Sequence, residues 1–154
     1  MNNNQRKIIL IRANLFRSTK IIGRMNPFVK LITKNKEYKS SINKGGEKQP
    51  IWNSTELIEV QDGENIKLLI MDFNSRSNPE LIAETTLSSH ELNGYYGKKD
   101  VHFQNQLVGQ IELQIQKKTE INPEYLGNFK QVQNILQNNQ TNQETHLGPQ
   151  YQYP

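Results

Sequence analysis

The chain contains no cysteine, which excludes disulfides and thiolate-held metals and fits a reducing compartment. Long apolar runs are missing as well. The longest, Ile8–Ile11, is far too short to span a bilayer or form a signal-peptide core. No transmembrane segment is expected, the protein is expected to be intracellular and cytoplasmic, and the glycosylation-type triplets at Asn53 and Asn139 are read as incidental. The three histidines, His90, His102 and His146, stand apart with no spacing of a metal site or of a nucleophile and its base. Gly45-Gly46 and the stretch Gly94–Gly97 are read as turns, because neither has the following helix, lysine and serine of a phosphate-binding loop. No strand interleaves aromatic and basic side chains, so nucleic acid is not an expected partner. Catalysis is not expected, and neither is a cofactor.

What is present fits one small domain with an appendage. The 154 residues are 34% apolar, enough for a sandwich core over the first three quarters but not for the whole chain. A net charge of +4 allows an anionic partner without choosing among lipid, nucleic acid and acidic protein. Asn and Gln are abundant throughout, a background bias of the kind an A+T-rich protist genome produces.

Period-two alternation dominates up to residue 120. In Gln110-Ile111-Glu112-Leu113-Gln114-Ile115-Gln116 every second side chain is apolar, the pattern of a half-buried strand. Similar strands are expected at 7–13, 27–34, 36–42, 54–60, 66–72, 81–87 and 101–105, with Gln61–Asn65 as a hairpin turn between two of them. Eight short strands at this spacing predict an all-β fold, an eight-stranded antiparallel β-sandwich.

The order of Lys7–Leu15, then Asn26-Pro27-Phe28-Val29-Lys30-Leu31, then Leu68–Asn74 ending in Asp72-Phe73-Asn74 resembles a C2 domain of phospholipase-type topology. Ala13-Asn14-Leu15, Gln49-Pro50-Ile51-Trp52-Asn53 and Leu81-Ile82-Ala83-Glu84 add to the likeness, with Ala83 where the family usually has glycine. The resemblance implies a calcium cage in the loops after the first and fifth strands. Matched onto this chain, its carboxylate positions are Lys20, Asn26, Asp72, Asn74 and Glu80. Only two are acidic and one is a lysine, whereas calcium needs several carboxylates among about six to eight oxygen ligands. No metal is therefore expected, and Asp72 and Glu80 are expected to pair with Lys20, Arg76 or Arg24, with Arg17 adding further positive charge. The resemblance also implies a lysine cluster that binds phosphoinositides on the concave face, here Lys34, Lys36, Lys39 and Lys44, with Lys48 beyond. Ile21, Ile22 and Met25 are the only candidates for an exposed membrane-inserting pair at the loop tips, and such a pair is not expected.

On the first strand Ile8, Leu10 and Ala13 are expected inward, leaving Ile9 and Ile11 outside; on the fifth, Ile66, Leu68 and Ile70 inward, leaving Leu69 and Met71 outside. Strands apolar on both faces call for a cover, supplied by a partner or by the chain's own tail. The expected organisation is an extension at 1–5, the sandwich at 6–118, and a polar docking tail at 119–154 with a helix over 128–138. There Phe129, Val132, Ile135 and Leu136 share one side. Tyr151 and Tyr153 are further contact candidates. The expected function is a calcium-independent structural or adaptor subunit of a large protein complex, in a ciliary or cytoskeletal setting. The alternative is a calcium-independent binder of anionic phospholipid.

Overall fold

The computed structural model describes residues 4–118, 127 and 130–138. Eight strands run in chain order: β1 (Gln5–Leu15), β2 (Pro27–Ile32), β3 (Glu37–Lys39), β4 (Ile51–Glu59), β5 (Ile66–Asp72), β6 (Glu80–Leu87), β7 (Gly94–Phe103) and β8 (Gln106–Lys117). All neighbouring pairs are antiparallel, in the order β3-β2-β5-β6-β7-β8-β1-β4. Between β6 and β7 the ladder narrows to one pair, Glu84 with His102. The assembly is therefore two four-stranded sheets, β3-β2-β5-β6 and β7-β8-β1-β4, joined at a corner and packed face to face as the alternation requires.

The strand sequences explain which faces meet. In β1 Ile8 and Leu10 are buried and Lys7, Ile9 and Ile11 half-buried, and past the register shift between Leu10 and Arg12 the buried positions become Ala13 and Leu15; in β5 Ile66, Leu68 and Ile70 are buried. These side chains join Val29 and Leu31 of β2 and Ile111, Leu113 and Ile115 of β8 in one core, each fully buried large aliphatic being worth about 1.5–3 kcal/mol. Two side chains tie the sheets at their open edges. Trp52 Nε1 donates to the Pro27 carbonyl at 2.9 Å, and the Glu59 N–H donates to the Tyr38 hydroxyl at 3.0 Å.

Two local expectations are corrected. Gln61–Asn65 is not a hairpin turn, because β4 pairs with β1 and β5 pairs with β2 and β6. The segment crosses from one sheet to the other, held by the Glu64 carboxylate, which accepts from the backbone N–H groups of Lys34 and Gln61. Gly94 and Gly97 are not turn glycines either. They lie in the first half of β7, opposite Gln116 and Leu113 of β8.

Gly109 marks where β8 passes closest to β1. A Cβ there would lie 2.2 Å from the Asn14 carbonyl oxygen, and its φ of +152° is one that L side chains rarely adopt. Gly109→Ala is expected to destabilise by about 3 kcal/mol through backbone displacement, as measured by chemical unfolding.

A reciprocal pair of hydrogen bonds between Ser88 and Glu91 closes the turn that leads into the short 3-10 helix Glu91–Asn93 before β7. The Ser88 N–H donates to Glu91 Oε2 at 2.8 Å and the Glu91 N–H to Ser88 Oγ at 3.2 Å, while Lys99 Nζ lies 2.6 Å from Glu91 Oε1. Burial alone raises the Glu91 carboxyl, but the hydrogen bonds from Lys99 and Ser88 outweigh it and hold it below its ordinary range. A depressed carboxylate stabilises above its unfolded-state pKa, and that contribution is lost as pH falls through the folded-state value. Glu91→Gln is expected to cost about 1 kcal/mol at neutral pH, with the difference from wild type closing in urea unfolding below about pH 4.

The chain divides into two compact units, Met1–Lys118 and Thr119–Pro154. Within the second, residues 130–138 are helical, with Val132, Ile135 and Leu136 exposed.

Candidate functional site

Loop one, residues 16–26, is fastened at its base and open at its tip. Met25 is fully buried, and its Sδ accepts the Thr19 N–H at 3.4 Å. Ser18 Oγ accepts the Lys20 N–H at 3.0 Å, folding the loop back on itself. Arg17 is not a free charge: Nη1 donates to the carbonyls of Leu81 and Ile82 at 2.9 and 3.2 Å, and the guanidinium stacks 3.5 Å over the Phe103 ring.

The end of β5 supplies the centre of the site. The Asp72 side chain has no exposed surface. Its Oδ1 accepts the Asn26 N–H at 2.7 Å; its Oδ2 accepts the Thr19 hydroxyl at 2.7 Å and lies 3.2 Å from Lys20 Nζ. A buried carboxylate needs such compensation. Asn26 is also used in full: Nδ2 donates to the Phe73 carbonyl at 3.4 Å and Oδ1 accepts the Gly45 N–H at 2.9 Å. An aspartate there has no side-chain N–H to give. Asn74 Oδ1 accepts the Arg76 N–H at 3.0 Å in a turn. Glu80 opens β6 exposed to solvent, so its expected ion pair does not form among the described residues. Lys20, one of its expected partners, is committed to Asp72 instead.

These donors do not fit calcium. Both oxygens of the one buried carboxylate are taken, an ammonium occupies the space beside it, and among the described residues no three carboxylates, imidazoles or thiols gather as metal ligands.

The tip of the loop departs from expectation. Ile21 and Ile22 are 102% and 91% exposed, two adjacent branched aliphatics with their whole surface in solvent. Of the four apolar residues in the loop, Phe16, Ile21, Ile22 and Met25, only Met25 turns inward. Gly23, at φ +95°, lets the chain turn beyond the pair. Lys20, Arg24 and Lys44 line one open crevice with Ile22.

The lysine candidates separate. Lys34 and Lys36 sit in the exposed turn between β2 and β3, with the Lys36 ammonium 5.0 Å from the Tyr38 ring centre. Lys44 belongs to the loop end, and Lys48 is exposed in the connection before β4. Lys39 alone lies on a strand, directly opposite Lys30. Lys30, which the sequence pattern did not single out, pairs with Glu37 at 3.6 Å, and Lys67 stands opposite Ile32 further along β2. The alternation of β2 could have indicated Lys30, since it falls on the solvent side of Val29 and Leu31.

The outward apolar residues form two patches, not one. Ile9 and Ile11 are half-buried on the outer face of the β7-β8-β1-β4 sheet, near exposed Leu57 and Tyr96; Leu69 and Met71 are half-buried on the outer face of the other sheet. Val132, Ile135 and Leu136 are exposed on their helical segment. Phe129, Tyr151 and Tyr153 lie outside the described residues.

Comparison with known proteins agrees with this architecture. The C2 domain family model matches residues 4–102. Elicitor-responsive protein 3 of rice, Oryza sativa subsp. japonica, is 26% identical over 83 residues, which are 53% of this chain and 58% of that protein. The chain thus spans little more than half the length of the curated relative it matches. Among solved structures, a C2 domain of plant Extended Synaptotagmin 1 superposes with a TM-score of 0.66 at 18% identity, covering 78% of this chain and 99% of that domain. Human GIVD cytosolic phospholipase A2 gives 0.63 at 16% identity over 77% of this chain and 16% of that enzyme. With its two sheets, Asp72 at the end of β5 and a family match across most of the sandwich, the chain belongs to the C2 domain family.

Proposed function

We propose that this C2 domain is a calcium-independent recruitment module that docks its loop end on an anionic membrane surface. The observation that carries the reading is the Ile21-Ile22 pair, solvent-exposed at a loop end that also carries Lys20, Arg24 and Lys44. Apolar side chains beside basic ones suit the boundary between acyl chains and negatively charged headgroups. Lys20, at a position that the family resemblance assigns to a calcium ligand, pairs with Asp72 at 3.2 Å, which supports a loop that approaches negative lipid without an ion. The test is co-sedimentation with phosphatidylcholine vesicles, with and without phosphatidylserine, in the presence of a chelator. Binding only to the anionic vesicles, equal in chelator and in calcium, is the expected result. Absence of binding, or binding that calcium switches on, contradicts it.

A second reading makes the chain an adaptor subunit of a protein assembly, in the ciliary or cytoskeletal setting the composition favours. It is favoured by the outer face of the β7-β8-β1-β4 sheet, where half-buried Ile9 and Ile11 neighbour Leu57 and Tyr96, exposed by 59% and 71%. Under it, Ile9→Lys releases the protein from a detergent-resistant particle in a density gradient, and the vesicle assay is unaffected.

A further inference from the structure

We infer that the outer face of the β7-β8-β1-β4 sheet docks an acidic segment of a partner protein, holding a carboxylate between Arg12 and Lys98 and an apolar side chain beside Ile9 and Tyr96. The inference deepens the adaptor reading and rests on it; what it adds is the chemistry of the partner.

Strand register orders this face. In one row across the sheet Lys98 of β7, Glu112 of β8 and Arg12 of β1 stand side by side, and in the next row Tyr96, Gln114 and Ile9 do. A bulge joins the two rows. Between Leu10, opposite Leu113, and Ala13, opposite Ile111, the two residues Ile11 and Arg12 face the single Glu112. Leu10 and Ala13 are buried, whereas Ile11 is half-buried and Arg12 exposed, so both bulge residues turn outward. An extra residue of this kind bends a strand and re-aims a side chain, and here it sets a guanidinium next to an apolar patch. The hollow beside the bulge encloses about 410 Å3, with Arg12, Lys98, Glu112 and Ile51 among its walls.

The charges of this hollow are unequal. Arg12 donates from Nε to Glu112 at 2.7 Å, and its side chain is 61% exposed. Its two terminal nitrogens and the Lys98 ammonium have no hydrogen-bond or ion-pair partner among the described residues. Asp100, one row further, already accepts from Gln110 Nε2 at 2.8 Å. One carboxylate thus serves two cations, and a second, brought by a partner, completes the row. A guanidinium with free terminal N–H groups suits it. Successive rows on one face of a sheet lie about 7 Å apart along the strands. The segment that fits therefore carries Asp or Glu and a bulky apolar residue two positions apart in an extended stretch, or one turn apart in a helix. An anionic membrane fits less well, because Glu112 and Asp100 on the same face repel it and Ile9 and Ile11 are half-buried on strands rather than raised on a loop tip.

The probe is a library of random peptides displayed on phage and selected on the full chain, with synthetic copies of the enriched peptides titrated by fluorescence anisotropy. The variants are Arg12→Gln/Lys98→Gln, Ile9→Lys and, as a control of equal charge loss, Lys34→Gln/Lys36→Gln. Enriched peptides are expected to share a carboxylate and a bulky apolar residue at the stated spacing. Their affinity is expected to fall about tenfold in each of the first two variants and to hold in the control. Equal weakening in the control reduces the effect to net charge and overturns the inference. Peptides without a carboxylate, weakened by Ile9→Lys but not by Arg12→Gln/Lys98→Gln, overturn the acidic partner and leave the adaptor reading of this face standing. No enrichment, or binding that neither variant weakens, overturns both. Self-association that Ile9→Lys abolishes assigns the face to a second copy, and anionic-vesicle binding lost in Arg12→Gln/Lys98→Gln but not in the control assigns it to a membrane; either result overturns the inference.

Discussion

Lys20→Met is expected to lower the unfolding free energy by about 2–4 kcal/mol, because it strands a carboxylate with no exposed surface. Removing one partner of a buried pair ordinarily costs about 3–5 kcal/mol. Two features place this site toward the lower end. Asp72 keeps its bonds from the Thr19 hydroxyl and the Asn26 N–H, and the Lys20 side chain is itself 23% exposed. For a sandwich of this size the loss corresponds to a fall in melting temperature on the order of 10 °C. Lys20→Met/Asp72→Asn is expected to recover most of it, since a neutral amide can accept from the Asn26 N–H and donate to the Thr19 hydroxyl, and no longer needs a counter-charge. Chemical unfolding of the single and double variants checks both. A single variant within about 0.5 kcal/mol of wild type, the range of ordinary surface substitutions, means that the ammonium contributes little to holding the loop.

Ile21→Asp/Ile22→Asp is expected to reduce anionic-vesicle binding by about a hundredfold or more, to the level of neutral vesicles, and to leave stability unchanged. Burying an isoleucine is worth about 1.5–3 kcal/mol, and every 1.4 kcal/mol is about a factor of ten in affinity. Two exposed aspartates add repulsion from the surface. The fold is indifferent because neither side chain touches the core, which Met25 enters in their place. Arg24→Gln/Lys44→Gln acts on the same end by charge alone, so the pair of experiments separates insertion from attraction. Unchanged vesicle binding by the aspartate variant contradicts a role for the loop tip and directs attention to Lys30, Lys39 and Lys67 on the strand face.

The strands were legible where the period-two pattern is local. Gln110–Gln116 alternates without a break, and Ile66–Asp72 has the bounds its pattern predicts. The first half of β7 was hidden because Gly94-Tyr95-Tyr96-Gly97 offers two glycines and no apolar alternation; its strand form comes from pairing with β8. Gln61–Asn65 was misread for a related reason. Asp62-Gly63 announces a change of direction, but whether the next strand joins the same sheet depends on β2 and β6, which claim both edges of β5. The Lys20–Asp72 pair, far apart along the chain, was legible only because a family resemblance placed both residues at one site. Nothing in Lys20-Ile21-Ile22-Gly23-Arg24-Met25 says which apolar residue turns inward. The anchor is set by the Thr19 N–H meeting the Met25 sulfur and by the core that receives it.

The proposed independence from calcium is tested most directly by titrating calcium into the protein, by calorimetry and by amide shifts, first alone and then with anionic vesicles. No saturable heat, no shift at Thr19, Lys20, Asn26 or Asp72, and the same vesicle affinity throughout are expected. Saturable calcium binding with shifts at those four residues, accompanied by tighter vesicle binding, contradicts it.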